Sequence, residues 1–145
     1  MQLGKLPSAA AIAILDESSL GRLGCIANGR PYVVPVYYFF DGQDIYIHSL
    51  PGLKIEALRT NPAACLQVDQ IRDAYHWRSV IVAGVYEEVG PDDQEREKIL
   101  ARLYQRLPHL SPVESRSESR GDELIVFRLR IEEITGVGEE WSWKS

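Results

Sequence analysis

The sequence is poor in the signatures that usually announce an activity. Its two cysteines, Cys25 and Cys65, stand apart with neither CxxC spacing nor a histidine cluster, which favours reduced core residues over a disulfide or a zinc site. The three histidines, His48, His76 and His109, are not spaced as metal ligands, so no metal is expected. There is no GxSxG, no HExxH and no Walker glycine loop, and the GVG at 136–138 lacks the strand-then-helix setting of a dinucleotide fingerprint. No apolar run is long enough to span a bilayer, so no membrane partner is expected. The N-terminal stretch has a short Ala/Ile run, but Asp16 and Glu17 follow closely and no small-residue cleavage pattern precedes them, which argues against a secretory signal. A cytoplasmic protein is expected. A basic stripe is missing too: 16 Lys and Arg against 21 Asp and Glu leave a net charge of −5, which argues against a nucleic-acid partner.

What is present fits one globular domain over residues 1–145, with 45% hydrophobic and 26% charged residues. Ser8 stands where it could cap a short helix over the following Ala/Ile run, a lid for the core. Residues 20–28 read as a strand that turns at Asn28-Gly29, the dipeptide a two-residue hairpin prefers, and returns as 30–40. Asp41-Gly42 makes a second tight turn into a strand at 44–48, so three strands form an expected meander. The middle one is apolar on both faces, which predicts a deep position, yet Pro35 at its centre cannot donate to a ladder and demands an edge or a bulge. An edge blunted by proline against aggregation and an edge opened for a ligand or second subunit are both compatible with that residue.

Residues 45–54, IYIHSLPGLK, read as a candidate anion grip. Ser49 can cap a helix with Pro51 in its first turn, and Lys54 adds a cation within about one turn, an arrangement suited to a phosphate dianion. The alternative is an ordinary capped helix with a solvated lysine. The helix over 54–60 stops at Asn61-Pro62; strands follow at 63–69 and 78–89, joined by a polar stretch at 70–76, with Gly84 at a bend. Pro91 opens an acidic-started helix with a stripe of Ile99, Leu100, Leu103, Tyr104 and Leu107. The polar segment 108–120 precedes a last strand at 123–135, with Ile125, Phe127, Leu129 and Ile131 inward and Val126, Arg128 and Arg130 outward. A tail follows from 136, carrying Trp141 and Trp143. The pairs Glu87-Glu88 and Glu132-Glu133 read as solvated charges rather than a catalytic dyad, because neighbours on a strand point to opposite faces. Mainly β with flanking helices, six strands mostly joined antiparallel favour a closed barrel, and a small barrel filled by its own side chains leaves ligands to its exterior or to a subunit seam. A homodimer follows as an expectation.

The order of a proline-containing strand VVPVYYFF, then IYIHSLPGLK, NPAACLQVD and WRSVIVAGVYEEV resembles the FMN-binding split barrels related to pyridoxamine 5′-phosphate oxidase, in the branch that includes nitroimidazole-resistance proteins. The resemblance covers residues 3–135. It implies a six-stranded antiparallel split β-barrel, dimeric, with FMN at the subunit seam. It places the backbone of Val34, Pro35, Val36 and Tyr37 along the isoalloxazine ring, His48, Ser49 and Lys54 at the phosphate, and Ser79 with Arg78 or Trp77 on the neighbouring strand of the same pocket. The implied function is an FMN-dependent oxidoreductase of a small planar electron-accepting substrate, nitroreductase-like, with a nicotinamide electron donor and His48 as a candidate catalytic proton donor. The alternative is a binding or sensing protein for flavin, deazaflavin or haem without turnover. The tail offers Trp141, Trp143 and Lys144 without the extra arginine that vitamin B6 phosphate oxidation asks for, so that reaction is not expected.

Overall fold

The computed structural model of the chain describes residues 3–106 and 124–139. Leu107, His109, the 108–120 segment, Trp141, Trp143 and Lys144 lie outside the described residues. The elements in chain order are β1 (Leu3–Lys5), α1 (Ser8–Glu17), β2 (Leu20–Ala27), β3 (Arg30–Tyr37), β4 (Phe39–Phe40), β5 (Asp44–Ser49), α2 (Leu53–Thr60), β6 (Ala63–Asp73), β7 (His76–Val89), α3 (Arg96–Arg106) and β8 (Ile125–Glu139). The six longer strands are those expected from the sequence; β4, of two residues, is the end of the strand expected over 30–40, set apart by Tyr38, and β1, of three residues, is an addition.

All pairings are antiparallel, in the order β3-β2-β6-β7-β8-β5-β4, with β1 added beside β8. The two ends of that order, β3 and β4, are separated in the chain by Tyr38 alone. Because consecutive Cα atoms sit about 3.8 Å apart, one intervening residue cannot bridge the width of a flat sheet, so the sheet curls until its edges meet. Tyr38 is the joint. It is 1% exposed, its hydroxyl donates to the Leu15 carbonyl at 2.6 Å, and its N–H donates to the Ser19 carbonyl at 2.9 Å. Burial pushes the Tyr38 phenol well above its ordinary range, which keeps it a donor.

The turns are those the sequence demands. Asn28 and Gly29 take φ of 53° and 75°, the paired left-handed values of a two-residue hairpin. At the β4–β5 turn Gly42 has φ of 93°, and the Asp41 carboxylate accepts from the N–H groups of Gln43 and Asp44 at 2.8 and 2.7 Å. The barrel interior is filled by Leu23, Leu66, Val68, Val80, Val82, Phe127 and Leu129 from the strands, closed by Ile14 and Leu15 of α1 and Ile55 and Leu58 of α2. A second cluster lies outside the barrel under α3: Phe39, Tyr46, Val89, Val126, Ile99 and Leu103.

Several expectations need correction. The three-strand meander forms only in part: the strand expected over 30–40 divides at Tyr38, β3 pairing with β2 and the two residues of β4 with β5, whose other partner is β8, because the curl carries the chain from one sheet edge to the other. The deep middle strand is an edge strand, with Val33 63% exposed. Val126 faces outward from the barrel as expected, but it is fully buried there because α3 covers that face. The stretch 70–76 continues the ladder to Asp73 and turns at Ala74-Tyr75 only. The last strand runs on through Gly136 and Gly138, expected to open the tail. Neither Ser8 nor Ser49 caps a helix: Pro7 and Gly52 hold the cap positions of α1 and α2 without side-chain bonds. The helix expected from Pro91 starts at Arg96, where the Asp93 carboxylate accepts from the Glu95 N–H at 2.8 Å and its carbonyl from the Arg96 N–H at 3.2 Å.

Gly84 marks the expected bend. The β7–β8 register slips between Ala83 and Gly84, and a Cβ built on Gly84 would lie 2.7 Å from the Arg130 carbonyl oxygen. Backbone is what it would strike, so the bulge must distort to admit a methyl. Gly84→Ala is therefore expected to destabilise the fold by about 1–3 kcal/mol in chemical denaturation. Gly90→Ala, whose Cβ would meet nothing within 4 Å, is expected to match the wild type.

Candidate functional site

The hydrogen bonds of the edge strand β3 follow from its turn. In a two-residue hairpin the closing pair, here Ala27 with Arg30, exchanges both bonds, and bonded and non-bonded pairs then alternate. Tyr32, Val34 and Val36 therefore direct their backbone groups to β2. Val33, Pro35 and Tyr37 direct theirs to the free edge. Pro35, and Pro31 before it, fall where a missing N–H removes no ladder bond, which is why prolines sit in this strand at all. The expected backbone set of Val34, Pro35, Val36 and Tyr37 thus divides, with Val33 joining Pro35 and Tyr37 on the edge. The alternation that reveals Val33 was present in the NG turn.

Register also sorts side chains, since directly opposed residues share a face. Rows across the outer face run Tyr37–Leu20, then Pro35–Arg22–Gln67–Ile81–Thr135, then Val33–Gly24–Cys65–Ala83, with Ser79 beside Asp69 and Val137. No described helix covers these rows. Leu20, Ile26, Val33, Tyr37, Ile71, Ile81 and Val137 are all exposed apolar residues, Ile71 reaching 67% and Ile81 46%. A recess of about 360 Å³ opens among Gly24, Ile26, Pro31, Val33, Ala63 and Cys65. Gly24 makes the room, since a Cβ there would stand 2.8 Å from Cys65 Sγ. Cys65 points outward and Cys25 inward, so the two thiols are on opposite faces and both are free.

The grip is built at the end of β5. Lys54, one residue into α2, donates from Nζ to Ser49 Oγ at 2.7 Å, and Ser49 Oγ donates onward to the Leu50 carbonyl at 2.8 Å. Ser49 is 5% exposed and Lys54 half-buried. Among the described residues no carboxylate pairs with this ammonium; besides burial, the group that acts on it electrostatically is the Cys25 thiol. Burial lowers the Lys54 ammonium below its ordinary value, Cys25 opposing, and burial raises the Cys25 thiol. A half-buried ammonium with no carboxylate partner among the described residues is able to accept an anion.

His48 is not part of that grip within one chain. Adjacent residues of a strand face opposite ways, and its ring meets Tyr104 of α3 at 5.6 Å between centroids, tilted 65°, on the side away from Ser49. The remaining candidates lie at one end of β7. Trp77 Nε1 donates to Glu139 Oε1 at 3.2 Å, Arg78 lies opposite Gly138, and Ser79 Oγ accepts from Gln67 Nε2 at 3.0 Å. Gln67 had given no signal in the sequence beyond its place in a strand. Glu87 lies near Arg128 and Arg130 at 3.7 and 3.8 Å and Glu88 bonds Arg59, so neither acid of that pair stands alone. Among the described residues no group of His, Cys, Asp and Glu could hold a metal, and no helix is long and apolar enough to cross a membrane.

Among the described residues, a curled antiparallel sheet whose ends meet without pairing, its core closed by two helices and one outer face covered by no helix, defines the class: the FMN-binding split barrel. The chain belongs to the pyridoxamine 5′-phosphate oxidase family, whose pattern it matches over residues 7–137. An uncharacterized protein of Rhizobium meliloti (strain 1021) is 33% identical over 132 residues, 85% of this chain and 86% of that one. A crystal structure of an FAD-binding protein from Mesorhizobium loti superimposes with a TM-score of 0.77 at 30% identity, covering 94% of this chain and 96% of that one. A proposed 5-nitroimidazole antibiotic resistance protein from Bacteroides thetaiotaomicron shares the fold with a TM-score of 0.74 at 20% identity, covering 94% and 89%.

The electrostatics of the grip have a measurable sign. A lysine whose folded value is lowered binds fewer protons in the native state than in the unfolded one, so its penalty is full at neutral pH and fades as pH rises to the ordinary lysine value. Lys54→Met keeps the aliphatic stem and removes the charge. Without ligand it is expected to be at least as stable as the wild type at pH 7, the difference shrinking by about pH 10. Denaturant midpoints of the two proteins at both pH values check this.

Proposed function

We propose that the chain is a flavin-dependent oxidoreductase that holds FMN at the seam of a homodimer and acts on a small planar electron-accepting substrate, with a nicotinamide electron donor. The observation that carries this reading is the half-buried Lys54 ammonium, bonded to the Ser49 hydroxyl and lacking a carboxylate among the described residues. That set fits a terminal phosphate: the ammonium answers its charge, and the Ser49 hydroxyl, which accepts one Lys54 N–H, leaves the other ammonium hydrogens to donate to phosphate oxygens. The relative at 30% identity is described as FAD-binding, which supports a flavin; a monophosphate concentrates two negative charges at one terminus, and the single lysine suits it.

Bound there, the flavin would supply reversible uptake of electrons or hydride, chemistry for which no side chain is needed as nucleophile. The chain's own part is to bind, orient and exclude water. The free edge of β3 offers the Val33 and Tyr37 backbone and the Pro35 carbonyl to a polar ring rim. The apolar recess by Gly24 and Cys65 accepts a flat aromatic body, and Tyr37 and Trp77 are the aromatic side chains placed on that face. No proton is assigned to His48, because its ring is engaged with Tyr104. A second copy of the chain laid on the outer face would bury Leu20, Ile71, Ile81 and Val137 and close the pocket. Two free thiols on opposite faces are in keeping with a cytoplasmic setting.

Lys54→Ala is expected to weaken FMN binding by about 1.5–3 kcal/mol while leaving riboflavin, which lacks the phosphate, almost unaffected. Equal loss for both ligands in fluorescence titration would mean that Lys54 is structural and the grip is misassigned. For the seam, sedimentation equilibrium is expected to give a dimer for the wild type and a monomer for Ile81→Glu, since a carboxylate buried in an apolar interface must be desolvated. A monomeric wild type removes the seam.

A further inference from the structure

A polar line crosses the otherwise apolar outer face. Arg22 lies 3.7 Å from the Asp69 carboxylate, Gln67 Nε2 donates to the same Asp69 oxygen at 2.9 Å, and Gln67 Nε2 also donates to Ser79 Oγ at 3.0 Å. These four residues come from β2, β6 and β7 and sit in adjoining rows. The chemistry of Asp69 decides the orientation of the amide. An ionised carboxylate only accepts, so the Gln67 nitrogen must face it and the oxygen Oε1 must be turned the other way. Ser79 Oγ has accepted a bond from Gln67, which leaves its own O–H to donate. Among the described residues neither Gln67 Oε1 nor the Ser79 hydroxyl hydrogen has a partner. Side by side on the outer face, beside the exposed Ile81, stand one fixed acceptor and one donor.

Resting on the flavin reading above, we propose that Gln67 and Ser79 form a two-point reader for an N–H flanked by a carbonyl, the imide edge of a flavin ring, with Asp69 and Arg22 as the residues that hold Gln67 in place. The pair is complementary: Oε1 accepts from the ring N–H, and the hydroxyl donates to the neighbouring carbonyl. A flavin and a deazaflavin share this edge, whereas haem has no such edge, so the reader selects between cofactors that one apolar recess could otherwise admit. An acceptor covered by a ligand that brings it no donor is the penalised state, which is how such a pair rejects a ligand lacking the N–H. The carboxamide of a nicotinamide donor presents the same two groups, and the experiment separates the two sources.

The test is titration of the full chain with FMN, with FMN methylated at the ring imide nitrogen, and with haemin, followed by flavin fluorescence and haem absorbance. The wild type is expected to prefer FMN over the methylated analogue by about tenfold or more, the scale of one hydrogen bond at a partly buried site. Gln67→Met is expected to lose that preference. Ser79→Ala, which removes the contact to a carbonyl both flavins retain, is expected to weaken both equally and keep the preference. Absence of preference in the wild type overturns the reader even if Gln67→Met fails to fold, and so does a preference that survives in Gln67→Met. Flavin binding unchanged in Gln67→Met with weakened binding of a reduced nicotinamide dinucleotide also overturns the assignment to the flavin ring. A wild type that takes up haemin and neither flavin overturns the flavin reading together with this one. A wild type that binds both flavins equally leaves the flavin reading standing and removes only the reader.

Discussion

The structure depends on Tyr38. One residue joins the strand at one end of the sheet to the strand at the other, so its position dictates that the sheet closes and where the split falls. Its ring fills the interior while its hydroxyl and N–H are bonded to Leu15 and Ser19 at the end of α1. An unbonded phenol in that place would be a buried polar group without compensation; bonded, it ties the lid helix to the seam of the barrel. From this joint follow the pairing of β5 with β8 and the placement of α3 over the outside of the same strands.

Closure of that kind leaves an asymmetry. One part of the exterior is covered by α3; the rest, across β3, β2, β6, β7 and β8, carries exposed apolar side chains in register. The edge of β3 borders this open face, and its prolines occupy only positions whose N–H would have pointed away from β2. Candidate groups then fall into three places: Lys54 with Ser49 at the end of β5, the open face with Pro35, Tyr37, Trp77 and Ser79, and His48 under α3. The first lies on the inward side of β5 with Ile45 and Ile47, the second on the outer face. The third does not share a side with the grip, and the reason is the two-residue period of a strand.

The legible part was local. Asn28-Gly29 and Asp41-Gly42 specified their turns because only a few residues accept φ above zero, and Pro35 asked for an edge or a bulge because it lacks a donor. Gly84 announced the bulge for a related reason, its missing Cβ. The misread parts were those in which a neighbour distant in sequence decides. Val126 faces outward as alternation predicts, yet α3 lies on it and buries it; the middle strand read as deep from its composition, yet its apolar residues are shared between the interior and an uncovered face. Ser49 read as a cap, and Lys54 took its hydroxyl instead.

By itself, then, the sequence determined the turns, an edge or a bulge at Pro35, the order of strands and helices, and the presence of a cation next to a serine where an anion could be held. These follow from backbone restrictions and side-chain charge, which travel with the residue wherever it is placed. Tertiary structure decided which edges meet at Tyr38, that His48 and Ser49 part company, that Lys54 stands without a carboxylate among the described residues, and that Gln67 bonds both Asp69 and Ser79. Each of those depends on a partner from another strand, and the curl of the sheet is what brings those partners together.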